Sequence, residues 1–228
     1  MTNKLKTITP EKLKEVLRLY EMWLGGQKGG VRSDLINYDL SRMDLFGAKL
    51  AHANLVCVVL TNANLTNVDL AHADLTGANL AYANLTGADL TWANLTNVNL
   101  TYANLAGANL AGANLTGADL SGSDLSGVYL SGATMICANL AGADLTDANL
   151  FNTKLIYVNL TGANLTSADL NSANLTNANL TDANLTDANL IRADMTRANL
   201  TCANLTGTTT TAVIRTYGIL TNTTKIIL

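Results

Sequence analysis

Long apolar runs are missing from this chain. Nowhere do apolar residues continue for the roughly 18 positions that a membrane-spanning helix needs. The opening MTNKLKTITPEKLKEV carries lysines with no apolar run behind them, which is not the pattern of a secretory signal, so the expected location is cytoplasmic. Cysteine is scarce and odd in number. Cys57, Cys137 and Cys202 lie far apart and read as free thiols, not as a disulfide framework. Proline is reduced to Pro10, aromatics to 5% and charged residues to 14%, although 48% of the chain is apolar, a composition unlike that of an average globular protein. What remains is mostly Leu, Ala, Asn and Thr, the mark of a repeat array.

Glutamate is absent between residues 34 and 207. That segment carries fourteen Asp against five Lys or Arg, a net −9, while residues 1–33 carry +4 and residues 208–228 carry +2. An acidic rod with basic ends argues against direct binding of nucleic acid.

Every multiple of five from 35 to 205 is leucine, except Met135 and Met195. On a helix each fifth residue is rotated about 140° from the last, so these leucines would spiral around it and form no apolar face. On a flat strand a step of five reverses the face each time. The chain must therefore turn once per repeat, so that each leucine meets one interior. Two residues before the leucine sits mostly Ala, with Val at 58, 68, 98, 128 and 158, a second inward position. The Asn or Asp just before the leucine is expected to supply the unusual backbone angle and to bond its own turn. Two residues in each repeat point inward and three outward.

The run ANLTGADLTWANLTNVNLTYANLAGANL resembles the pentapeptide-repeat family, and the unbroken frame covers about three-quarters of the chain. The resemblance implies an all-β solenoid: a right-handed quadrilateral parallel β-helix with four repeats per coil, here about nine coils, and a short N-terminal capping α-helix. Residues twenty apart then become neighbours. His52, His72 and Trp92 fall in one column as an imidazole ladder ending on the indole, Tyr82 and Tyr102 stack on the opposite face, and Lys49 lies beside Asp69 as a surface ion pair.

An open solenoid end must be covered. In TPEKLKEVLRLYEMWLGG, Thr9 is a good N-cap, Pro10 fits the first turn and Gly25-Gly26 ends a helix. Leu13, Val16, Leu17, Tyr20 and Leu24 give it an apolar face for the first coil. The expected division is 1–33 as helix and linker, 34–207 as repeats, and 208–228 as a tail. There Thr210, Arg215 and Lys225 replace leucine, and the tail either caps the last coil or pairs with a second molecule as a homodimer.

No GxGxxG, P-loop, paired CxxC or HExxH occurs. The aspartates before leucine interchange with Asn along the chain, and a carboxylate that an amide can replace is not an acid catalyst. The expectation is therefore a non-enzyme with no cofactor and no metal. The leading reading is an interaction scaffold for an unidentified protein partner, with contact residues among His52, His72, Trp92, Tyr82, Tyr102, Tyr129, Phe151 and Tyr157. Thr153 and Lys154 mark the irregular coil that holds the last of these. The alternative comes from the family resemblance: some members are acidic DNA mimics that bind a type II topoisomerase such as DNA gyrase. Asp147, Asp182 and Asp187 would be the outward acids in that case, too few for a dense stripe.

Overall fold

A spacing of twenty residues organises the molecule. The computed structural model describes residues 5–32 and 34–213. Parallel bridges join each residue just before a leucine to the residue twenty further on, from Asp34 with Asn54 to Asn189 with Thr209. Each coil of the solenoid therefore takes four repeats, and each repeat contributes a single bridging residue in place of a long strand.

The turn explains why five residues suffice. Ala53 N–H donates to the Leu50 carbonyl at 3.0 Å, and His52 between them has φ of 62°. A positive φ at the third of four turn residues defines a type II turn. The left-handed residue thus stands two places after each leucine, not at the Asn or Asp where the sequence suggested it. The Asn or Asp holds the turn from outside instead. Asn94 Oδ1 accepts from the Thr96 N–H at 3.3 Å and from the Thr96 hydroxyl at 2.6 Å. Its Nδ2 reaches the coil below, donating to Asp74 at 3.3 Å and to Thr76 Oγ1 at 2.8 Å. Because Asp69 likewise bonds its own turn, accepting from Ala71 N–H at 3.2 Å, it makes no ion pair with Lys49 although the two backbones bridge. Among the described residues the one ion pair is Arg18 with Glu15.

Inside, the leucines and the Ala or Val two places before them form one continuous core. Two of the buried inner side chains are polar, and both are satisfied: Thr153 donates to the Leu130 carbonyl at 2.8 Å and Ser123 to the Leu120 carbonyl at 2.6 Å.

The N-terminal cover is built from strand β1 (Lys6–Thr7) and helix α1 (Pro10–Leu24), and β1 pairs in parallel with β2 (Tyr38–Asp39) in the first coil. Thr9 caps α1 by accepting from Lys12 N–H. At the other end Gly26 adopts φ of 67°, while Gly26 and Gln27 N–H donate back to Trp23 and Met22, a Schellman closure. Leu13 and Tyr20 are buried in the solenoid core, and Val16, Leu17 and Leu24 pack partly against it. The cap also satisfies exposed ladder carbonyls. Lys6 N–H donates to Asn37 O at 2.8 Å and the Tyr20 hydroxyl to Ala51 O at 2.7 Å.

At the far end the turn outlasts the leucine pattern. Thr210 stands where leucine would, yet Val213 N–H still donates to its carbonyl and Ala212 still has φ of 58°. Backbone bonds to the coil below need no particular side chain. The capping or dimerising role expected of the tail rests mainly on residues 214–228, which lie outside the described residues.

Candidate interaction surface

The side chains that break the repeat's monotony stand mostly on the left-handed turn residue. That backbone conformation suits Gly, Asn and Asp, whereas a bulky side chain there is an outlier that costs about 1 kcal/mol. Gly or Asn occupies it in 18 of the 36 turns from residue 37 to residue 212. Tyr82, Trp92, Tyr102 and Tyr157 occupy it with φ between 54° and 58° and lie well exposed, Trp92 at 66%.

His52 and His72 stack face to face, ring centroids 4.9 Å apart and planes 5° from parallel. Their ring nitrogens therefore point side by side and do not converge. Among the described residues no three His, Cys, Asp or Glu side chains gather in a way that could hold a metal ion. The ladder stops at His72: Trp92 shares the column but leans over Gly112, where an added Cβ would lie 2.7 Å from its ring. On the opposite side Tyr82 and Tyr102 stack at 5.3 Å, as expected, and Tyr102 covers Gly122 in the same way.

A second group gathers two coils further on. Tyr129 and Lys154 are bridging residues and so interrupt the Asn and Asp ladders of two neighbouring faces. Phe151 occupies the turn between those faces, and Tyr157 the turn after Lys154; they are 44% and 60% exposed. Three residues escaped the sequence reading. Phe46, also exposed, helps line a groove of about 310 Å³ between α1 and the first coils, with Lys14, Arg18 and Lys49. Ile136 and Ile156 stand half-buried on adjacent coils beside Tyr157. Each interrupts a column otherwise rich in Thr, which is the signal that would have found them.

The acids are dispersed. Eleven of the fourteen aspartates in 34–207 are bridging residues, and no face stacks more than two in succession, as in Asp69 with Asp89 and Asp124 with Asp144. Asp147 and Asp187 share one column with Ser167 between them, and Asp182 stands in another. Asp39 has a carboxyl held below its ordinary value by the Ser41 hydroxyl and then by the Ser41 N–H. Cys57, Cys137 and Cys202 are exposed free thiols.

The family model for pentapeptide repeats matches in eight copies, at residues 44–80, 53–97, 93–132, 113–150, 143–182 and 178–209. The chain belongs to the pentapeptide-repeat family. Among solved structures of pentapeptide-repeat proteins it is similar to HetL, involved in heterocyst differentiation regulation in the cyanobacterium Nostoc sp. strain PCC 7120. The two are 32% identical over 86% of this chain and 92% of HetL, with a TM-score of 0.48. Rfr23 from the cyanobacterium Cyanothece 51142 is 38% identical over 47% of this chain and 60% of its own, with a TM-score of 0.24. QnrB1, a plasmid-mediated fluoroquinolone resistance protein solved in a trypsin-treated form, is 19% identical over 77% of this chain and 91% of its own. Its TM-score of 0.67 is a likeness of fold alone. No curated protein matches the chain.

Proposed function

We propose that this pentapeptide-repeat protein is a non-catalytic, cytoplasmic rod, wound right-handedly in about nine coils of twenty residues, that works as an interaction scaffold for another protein. The observation that carries the proposal is the placement of Tyr82, Trp92, Tyr102 and Tyr157 on left-handed turn residues. Gly serves the same turn at 107, 112, 117, 122, 127 and 132. A ring there works against the backbone preference of the turn, and 57–66% of each of these four side chains stays in water despite the stacks, so the rings are read as contact surface. Exposed aromatic residues are also the side chains most enriched at protein interfaces.

Replacing Tyr82, Trp92 and Tyr102 together by Gly tests this without threatening the fold, because Gly is native to the same turn. The unaltered rod and this variant are each used for affinity capture from a lysate of the source organism, with quantitative mass spectrometry. A protein retained by the first and lost by the second is the expected result. Identical retained sets would remove these residues from function.

A second reading, an acidic DNA mimic that binds DNA gyrase, draws on the −9 of residues 34–207. A duplex presents phosphate continuously along its length, and no face of this rod stacks more than two aspartates. The scaffold reading is therefore preferred. Inhibition of gyrase supercoiling by the purified protein would reverse that preference.

A further inference from the structure

Between Lys49 and Arg192 the sequence contains one lysine and no arginine, and that lysine, Lys154, stands inside an aromatic and aliphatic patch. Phe151 occupies the turn before it, and Ile156 and Tyr157 the turn after it. The coil below adds Ile136, held in register by Met135 N–H donating to Lys154 O at 2.8 Å and Cys137 N–H to Ile156 O at 3.0 Å. Tyr129, 54% exposed, lies around the corner from Phe151.

We propose that this patch docks a partner protein presenting an Asp or Glu carboxylate beside an apolar side chain. Lys154 receives the carboxylate, and Phe151, Ile156 and Tyr157 receive the apolar group. The proposal rests on the scaffold reading and specifies its partner.

Three observations support it. Lys154 is exposed and makes no ion pair among the described residues. Its position is one where Asn or Asp normally locks the following turn, as Asn94 does for Thr96. At Tyr129, Thr134 and Lys154 that lock is given up in three repeats of one region, so the local sequence is not serving the turn. Charge also selects the partner class. A lone cation on an acidic rod attracts one carboxylate, while the surrounding −9 repels a nucleic-acid backbone. A two-fold contact with a second copy through this patch would set Lys154 against Lys154.

The test is to pan a phage-displayed random peptide library against the full chain. Synthetic copies of the enriched peptides are then titrated by fluorescence anisotropy against the unaltered protein and against Lys154→Asp, Lys154→Asn and Trp92→Gly. Asn and Asp are the usual residues at this position, so the first two variants keep the turn. The expected peptides combine Asp or Glu with Phe or Leu. Their affinity falls about tenfold or more in Lys154→Asp and less in Lys154→Asn, and the loss in Lys154→Asp exceeds any loss in Trp92→Gly. Amidation of the peptide's acids should weaken binding to the unaltered protein and strengthen binding to Lys154→Asp, where the acid would otherwise face a like charge. Enrichment of peptides without acids, or equal affinity for Lys154→Asp, would overturn the proposal. Loss only in Trp92→Gly would remove this site while sustaining the scaffold reading. Failure to enrich any peptide would count against both.

Discussion

A residue's place in the five-residue turn decides what a change there can do. Thr153 occupies an inner position that is usually Ala, and its hydroxyl donates to Leu130 O, which already accepts from Ala133 N–H at 2.9 Å. Thr153→Val keeps the shape and leaves no buried group unpaired. Val is native at the equivalent place in five other repeats. Its effect on unfolding free energy should stay within about 0.5 kcal/mol, measured by denaturant titration. Asp39 behaves differently. Its carboxyl is held below the ordinary 3.8 by Ser41, so the stability it contributes is present above that value and is lost as pH falls through the lowered one. An Asp39→Asn variant keeps an acceptor at this place and has nothing to protonate. The melting-temperature advantage of the unaltered protein over this variant should therefore shrink as pH falls from about 5 to below the lowered value. The inward positions were legible from the sequence because burial selects Leu, Ala and Val. The left-handed position was not, because the Asn or Asp before each leucine is an equally good candidate for a positive φ and recurs far more regularly than the mixture of Gly, Asn, His, Tyr and Arg two places after it.

Among the elements, α1 was readable almost to the residue: Thr9, Pro10 and Gly25-Gly26 are local signals whose physics needs no tertiary partner. What it does to the first coil was not readable, because that depends on contacts between residues far apart in sequence. Gly30 is one of them. A Cβ there would sit 2.3 Å from the backbone nitrogen of Trp23, so Gly30→Ala must push the linker off the helix. Tyr20 is another, since its hydroxyl replaces the backbone N–H that would serve Ala51 O in an interior coil. Tyr20→Phe leaves that carbonyl without its donor, at a cost of about 1–3 kcal/mol. Both changes should lower the melting temperature, and Gly30→Ala should do so without altering any exposed side chain. Burial also pushes the Tyr20 phenol above its usual 10.0. Its contribution is therefore complete below that pH and disappears as pH rises through the raised value. In alkali the melting temperatures of Tyr20→Phe and the unaltered protein should converge.

Across the whole molecule, each coil touches only the coils above and below it, so stability is a sum of neighbour terms and damage should stay local. Leu120 is fully buried in the middle of the rod, whereas Leu205, at 8% exposed, belongs to the last coil described. Leu120→Ala removes apolar contact on every side and should cost about 3 kcal/mol. Leu205→Ala removes fewer neighbours and should cost less. Hydrogen exchange separates the two cases better than a melting curve does. In Leu120→Ala the amides that bond across the cavity, such as Leu100 N–H to Asp119 O and Leu120 N–H to Asn139 O, should lose protection first. Protection near α1 should persist until the rod opens there. In Leu205→Ala only the amides of the last coils should change. If either substitution instead lowered protection equally from Leu35 to Leu205, the rod would unfold as one unit, and a peptide-docking site in one region would feel changes made in any other.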